Sequence, residues 1–85
     1  MPEEPDIKNR IEAVLFVVGR YIGIEELAKI CNLGSIGIVK DVLLELKKDY
    51  ESRNTSLELT EEDNKWRLNI KGSYGHITNK ILSDS

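Results

Sequence analysis

Residues 10–35, RIEAVLFVVGRYIGIEELAKICNLGS, place an apolar helical pattern, a short extended step and an amphipathic helical pattern in one span. A third helical pattern begins directly after it. Helix, step, helix, turn and helix is the order in which helix-turn-helix domains are built. Such domains commonly bind DNA, so the sequence raises the question of whether this scaffold binds DNA or other proteins.

The composition is that of one small globular domain. The chain has 85 residues, of which 40% are hydrophobic and 32% charged, and its net charge is −3. A negative chain disfavours an autonomous nucleic-acid binder, because phosphate contacts need a basic surface. The single cysteine, Cys31, excludes an intramolecular disulfide and favours a reducing cytosol. We interpret it as a small buried hydrophobe rather than a reactive thiol.

The first residues and the apolar runs predict neither secretion nor membrane insertion. The start, MPEEPD, is acidic, whereas a signal peptide begins with a basic region. The apolar run at residues 13–18 is far too short to span a bilayer. We expect a cytoplasmic protein with a disordered tail at residues 1–5 and a single domain at residues 6–85.

The first helix contains more apolar side chains than fit on one buried face. Asp6 is its predicted N-cap, and Gly19 is predicted to end it in a left-handed conformation. The run AVLFVV at residues 13–18 is apolar all round, so Phe16 and Val17 point away from the main stripe. A helix that is apolar on every side must be covered on every side, either by the domain or by a partner.

Two further helices follow a short extended step. Tyr21 and Ile22 are predicted to pair as an edge strand, and Gly23 to precede a helix whose buried side holds Leu27, Ala28, Ile30 and Cys31. Ser35 is the predicted cap of a third helix that runs to about Arg53. Its apolar stripe comprises Ile36, Val39, Leu43, Leu46 and Tyr50, widened by Ile38 and Val42.

The hydrophobic period then changes to two, which predicts a hairpin of residues 55–60 and 65–70 joined by a four-residue loop, EEDN. We predict that Thr60 lies opposite Lys65, a register in which apolar and charge pairings agree. Its other pairs are Leu59 with Trp66, Leu57 with Leu68, and Glu58 with Arg67. Trp66 is then a core residue.

The predicted fold is α+β, mostly α: a winged helix-turn-helix of three helices and a two- or three-stranded wing sheet. Ile77, Ile81 and Leu82 predict a short closing helix after the wing.

Catalysis, cofactor binding and metal binding find little support. The only histidine, His76, has no acid or nucleophile nearby in the sequence at a spacing typical of a catalytic site. We interpret it as structural or exposed. No Cys/His cluster has metal-ligand spacing, and no glycine-rich phosphate loop occurs. We expect no catalytic, cofactor-binding or metal-binding residue and no enzyme activity.

Specific DNA binding is disfavoured by the two elements that would contact DNA, the recognition helix and the wing. A recognition helix contacts bases from its N-terminal part, which here carries apolar Ile36 and Ile38. The wing tip, TEEDNK, has three acids in a row where a phosphate contact needs bases. The candidates for a weak, non-specific nucleic-acid contact, partly neutralised by Glu58, are Lys65, Arg67 and Lys71.

Apolar side chains beyond the needs of one small core predict a protein interface. Alternatively, each of these side chains packs into the core of the domain. In a competing interpretation, the closing helix folds back over the first helix of the same chain through Tyr74, Ile77 and Ile81. The candidate partner or dimer-interface residues are Phe16, Val17, Tyr21, Leu44, Tyr74 and Ile77.

The order of the segments resembles the first winged-helix domain of segregation and condensation protein B, ScpB. The helices match through IEAVLFV at residues 11–17, EELA at 25–28 and KKDYESR at 47–53. The step and wing match through GRYI at 19–22, LEL at 57–59, WRL at 66–68 and Tyr74. The resemblance covers roughly residues 10–82. Family members generally carry a second winged-helix domain, which we expect this chain to lack.

The resemblance implies a non-enzymatic accessory subunit of an SMC–ScpA complex, acting in chromosome condensation and segregation and associated with the nucleoid through that complex. ScpB-like proteins are similar in forming homodimers through this domain and in binding the ScpA kleisin. The implied partners are therefore a second copy, a ScpA-like kleisin and an SMC protein, without specific DNA binding or a membrane. The alternative is a winged-helix DNA-binding transcriptional regulator.

Overall fold

Four α-helices and a three-stranded antiparallel sheet make up residues 6–83, the part of the chain that the computed structural model describes. The helices are α1 (Ile7–Val18), α2 (Ile24–Ile30), α3 (Ile36–Ser52) and α4 (Gly75–Ser83), with a 3-10 turn at Gly72–Tyr74 before α4. The strands are β1 (Ile22–Gly23), β2 (Leu57–Glu62) and β3 (Lys65–Ile70). The α+β winged helix-turn-helix is confirmed, with the three-stranded form of the wing. The predicted tail at residues 1–5 lies outside the described residues.

The helix ends follow the predicted caps. The Asp6 carboxylate accepts a hydrogen bond from the Asn9 N–H at 3.4 Å, and the Ser35 hydroxyl accepts one from the Ile38 N–H at 3.2 Å. Gly19 ends α1 with φ of 62°, in the left-handed region that glycine adopts without strain. Local sequence therefore determines where α1 and α3 begin and where α1 turns into the step.

The step after α1 forms the edge of the sheet. The strand order is β1-β3-β2, and Ile22 lies opposite Trp66. The predicted edge strand is confirmed, although it starts at Ile22 and Tyr21 lies outside it. This pairing joins the helix-turn-helix to the wing, so both parts share one core.

The predicted hairpin register is wrong by two residues. Glu62 lies opposite Lys65, and the turn contains only Asp63 and Asn64, with φ of 54° and 65°. Positive φ at both central residues is the type I′ geometry, whose twist matches that of the flanking strands and which Asn and Asp tolerate. The observed pairs are Leu59 with Leu68, Leu57 with Ile70, Thr60 with Arg67, and Glu58 with Asn69. A shift of two residues leaves every side chain on its face of the sheet.

The core lies between α1, α2, α3 and the inner face of the sheet. Its buried members are Ile11, Leu15, Ile22, Leu27, Ala28, Cys31, Val39, Leu43, Leu46, Tyr50, Leu59 and Trp66. Cys31 is confirmed as buried, and burial raises the pKa of its thiol. Three predicted positions are wrong. Ile36 and Ile38 are exposed on the first turn of α3, where Ile36 borders an open groove beside the wing turn, and Ile30 is exposed at the end of α2.

Polar contacts tie α1 to α3 beside this core. Lys8 Nζ lies 2.6 Å from Asp49 Oδ2, and their hydrogen bond raises the pKa of Lys8 and lowers that of Asp49. The Tyr50 hydroxyl donates to the Glu12 carboxylate, and burial together with this bond raises the pKa of Tyr50. These contacts fix which side of α1 faces α3 and leave the opposite side outward.

Trp66 is a core residue, 1% exposed, and its replacement tests how much the wing contributes to the fold. We expect Trp66→Ala to lower the free energy of unfolding by about 3–5 kcal/mol, because the cavity left by a large aromatic cannot close. That is a large share of the total for a small domain. Urea unfolding followed by circular dichroism measures the change.

Leu44→Ala is the control, since Leu44 is exposed and the substitution should change stability by no more than about 0.5 kcal/mol. A Trp66→Ala variant with the parent's unfolding midpoint would contradict a core role.

Candidate functional site

The outward side of α1 is apolar. Phe16 and Val17 are 74% and 80% exposed, whereas Ile11 and Leu15 on the opposite side are fully buried. Ala13, one turn before Val17, is also exposed. The domain therefore covers one side of the apolar run at residues 13–18 and leaves the other side to solvent.

Two shallow grooves flank Ala13. The first, which we call the α1–α2 groove, has an entirely apolar lining: Ala13, Val14, Val17, Val18 and Ile30. The second, the α1–sheet groove, is lined by Asn9, Glu12, Ala13, Phe16, Tyr50, Leu57 and Leu68. Because both grooves include exposed α1 side chains, a partner that packs on α1 has a recess on either side of Ala13.

Sequence reasoning placed Ile30 in the core and missed its part in the α1–α2 groove. Leu27, Ala28 and Cys31 are the buried residues of this segment, and they define a narrow arc of the helix. Ile30 lies about 60° from Leu27 around a helix of 3.6 residues per turn, beyond the edge of that arc. The angular position of Ile30 was the signal that could have found it.

The closing segment carries a second exposed apolar surface. Ile81 and Leu82 are 64% and 68% exposed, and every residue from 76 to 82 is exposed. Tyr74, Ile77 and Ile81 follow one another at intervals of three and four residues, which places them on one stripe. Since Phe16 and Val17 are exposed as well, α4 does not cover α1 within the chain, and the competing interpretation is wrong.

The remaining interface candidates, Tyr21 and Leu44, line neither α1 groove. The Tyr21 hydroxyl shares a hydrogen bond of 3.2 Å with the Thr60 hydroxyl, which ties the step to β2. Leu44 is exposed on α3 and lines neither α1 groove. Phe16 and Val17 thus lie on the outward side of α1, Tyr74 and Ile77 lie on the closing segment, and Tyr21 and Leu44 line neither α1 groove.

The surface with which a winged helix would meet DNA is apolar and mixed in charge. Ile36 and Ile38 are exposed on the first turn of α3. The adjoining groove is lined by Gly23, Ile24, Glu25, Glu26, Ile36, Lys40, Asp63, Asn64 and Lys65. This face therefore presents three acidic and two basic side chains to a duplex.

The candidate basic residues do not form a continuous patch. Lys65 is exposed but lies opposite Glu62, and Arg67 and Lys71 are half-buried. The Arg67 Nε is buried and has no hydrogen-bond partner among residues 6–83. The predicted pairing of Glu58 with Arg67 is wrong, because Thr60 takes that position; Glu58 lies opposite Asn69, diagonal to both Arg67 and Lys71.

Within the described residues no group of three or more His, Cys, Asp or Glu side chains could hold a metal ion. His76 is exposed on α4. Among residues 6–83, the helices are too short or too polar to cross a membrane.

Comparisons with known proteins agree on one family. A model of the family described as segregation and condensation complex subunit ScpB matches residues 9–85. The crystal structure of ScpB from Mycobacterium tuberculosis has a TM-score of 0.80 at 21% identity, covering 96% of this chain and 52% of that one. The crystal structure of a dimer of the ScpB N-terminal domain complexed with a ScpA peptide has a TM-score of 0.73 at 24% identity. That match covers 86% of this chain and 84% of that one.

No curated protein sequence matches the chain. The two structures show the shared winged-helix fold, and the chain spans 52% of the length of the Mycobacterium tuberculosis protein.

The mixed charge around α3 and the wing generates a prediction about DNA. We expect the chain to bind no duplex selectively at near-physiological salt, where specific sites are normally bound at roughly 10⁻⁸–10⁻¹¹ M. Selection from a random duplex pool followed by a mobility shift measures this. Glu61→Lys with Glu62→Lys should add salt-dependent, non-selective binding and serves as the positive control. Selective binding below micromolar concentrations by the parent chain would overturn the expectation.

Proposed function

Because the chain belongs to the family of segregation and condensation complex subunit ScpB, we propose that it is a non-enzymatic accessory subunit of an SMC–kleisin complex. In this role it acts in chromosome condensation and segregation and joins the nucleoid through the complex. It works as a clamp: a homodimer that buries apolar surface against itself and against a ScpA-like kleisin, with no chemical step.

The outward face of α1 carries this proposal. Phe16 and Val17 are large apolar side chains that the core leaves exposed to solvent. Burial of one such side chain contributes about 1.5–3 kcal/mol, so several from each protomer offset much of the cost of association. An apolar helix face bordered by two grooves is typical of a surface that binds protein.

A relative of known assembly supports the same role. The ScpB N-terminal domain with which this chain shares its fold was crystallised as a dimer complexed with a ScpA peptide. A homodimer and a kleisin segment are therefore the two occupants that we assign to the exposed apolar surfaces. The outward face of α1 is the dimer contact, and Leu44 on α3 lies outside it.

Self-association is the first test of this role. We expect the chain to show a concentration-dependent dimer in sedimentation equilibrium, and Phe16→Glu with Val17→Lys to yield a monomer. Charges at these positions should leave the fold intact because both side chains point to solvent.

Leu44→Glu is the matched control, an exposed apolar residue on a different helix that should leave the dimer unchanged. A parent chain that stays monomeric at high concentration contradicts the dimer. A double variant that unfolds contradicts the outward position of this face.

Kleisin binding is the second test. We expect the tagged chain to co-purify with the SMC protein and the kleisin, and a purified ScpA-like kleisin to bind it directly in titration calorimetry. A chain that recovers neither subunit but shifts one specific duplex in a salt-dependent manner would instead be the winged-helix regulator.

A further inference from the structure

A third recess lies beside the turn of the wing, away from both α1 grooves. We call it the α2–wing groove: a space of about 550 Å³ between the start of α2, the first turns of α3 and the turn at Asp63 and Asn64. Antiparallel pairing of Gly23 with Lys65 brings the start of α2 beside that turn. The walls are elements of the folded domain, so a partner meets a surface that is already formed.

Two isoleucines supply the apolar part of the groove. Ile24, at the start of α2, is half-buried and packs against the core. Ile36, on the first turn of α3, is 44% exposed and contributes nothing to the buried core. A large exposed apolar side chain inside a recess offers a partner surface that binding removes from water.

The charges around the groove are predominantly acidic. Eight charged side chains line it or stand directly beside it, and their net charge is −2. They are the acids Glu25, Glu26, Glu61, Glu62 and Asp63 and the bases Arg20, Lys40 and Lys65. Two of the bases already have an acidic neighbour, because Arg20 Nη2 lies 3.3 Å from Glu26 Oε2 and Lys65 lies opposite Glu62 in the sheet. The surplus negative charge is complementary to a cationic partner.

The acids on the two walls are available to such a partner. Within residues 6–83, Glu25 on α2 and Asp63 on the wing turn take part in no ion pair. A lysine or arginine side chain suits both parts of the groove, because its aliphatic stem packs on an apolar residue such as Ile36 while its cationic head meets carboxylates. Phosphates are repelled by the same acids, which disfavours a nucleic acid as the occupant.

We propose that the α2–wing groove is a docking site for a peptide segment of a partner protein, in which a basic side chain stands next to an apolar one. The face with which a winged helix would read DNA then binds protein instead. This contact uses neither α1 groove, and it does not rest on the homodimer or on a kleisin as the partner.

Selection from a random peptide library displayed on phage tests this docking. Peptides are selected on the parent chain and then depleted on Ile36→Lys, which removes the apolar contact and repels a cation. The peptides that survive depletion should carry lysine or arginine beside a large apolar residue. Ile38→Lys is the matched control: Ile38 is 46% exposed on the same turn of α3 but lies about 160° around the helix from Ile36. Depletion on Ile38→Lys should remove the same peptides.

Titration calorimetry with the synthesised peptides measures the apolar contribution. We expect Ile36→Lys to weaken binding by roughly tenfold or more, as loss of an interface anchor does, and Ile38→Lys to bind as the parent does. Both side chains are exposed, so both variants should keep the circular dichroism spectrum of the parent.

The acidic contribution is measured separately with Glu25→Gln and Asp63→Asn in one chain. This variant should bind the peptides roughly fivefold more weakly, and the loss should shrink as salt is raised. Asn tolerates the positive φ of 54° at position 63, so the turn is preserved. Glu45→Gln with Glu51→Gln changes the net charge equally at exposed positions on α3 and should bind as the parent does.

Four results would overturn the docking. The first is a selection in which no peptide survives depletion, and the second is a set of survivors without a basic residue. The third is equal binding to the parent and to Glu25→Gln with Asp63→Asn, which would place the basic residue elsewhere. The fourth is a duplex or a second copy in the groove, seen as competition by DNA or as a raised dimer dissociation constant of Ile36→Lys in sedimentation equilibrium.

Discussion

From Ala13 to Val18, helix α1 is apolar around its whole circumference, and the core of the domain lies on one side of it. α3 holds that side through the Lys8–Asp49 and Tyr50–Glu12 contacts, and Ile11 and Leu15 are buried there. The orientation is therefore fixed, and Phe16 and Val17 must face outward. Burying them in the same core would require a further layer of structure, which a domain of this size does not have. The exposed surfaces of the molecule follow from this one constraint.

The wing and the start of α3 lack the surface features with which a winged helix reads DNA. A type I′ turn of Asp63 and Asn64 makes the hairpin tight and places Glu61 and Glu62 beside it. At the start of α3, Ile36 and Ile38 occupy positions from which polar side chains would contact bases. Fold and function are thus separable here: the backbone is that of a winged helix, and its surface is not basic.

Sequence patterns predicted the features that depend on neighbouring residues, such as the helix caps. They failed where two arrangements fit the same pattern equally well, as in the hairpin register. The caps at Asp6, Gly19 and Ser35 depend on neighbouring backbone groups, so they could be found from residue type alone. The hairpin register could not, because pairings two residues apart keep the same faces and bring similar residues together. The turn type decides between them. The positions of Ile30 and Ile36 depend on which elements pack nearby, information that hydrophobic spacing does not contain.

The same distinction applies to the interaction surfaces. Phe16 and Val17 could be identified because six consecutive apolar residues cannot all face one side of a helix. The path of α4 could not be identified, since an amphipathic helix of nine residues fits the same chain's α1 or another's equally well by pattern. The structure removes the first choice by leaving both surfaces exposed. Apolar surface that one small core cannot cover links folding to assembly, because a partner that binds only the folded chain also stabilises it.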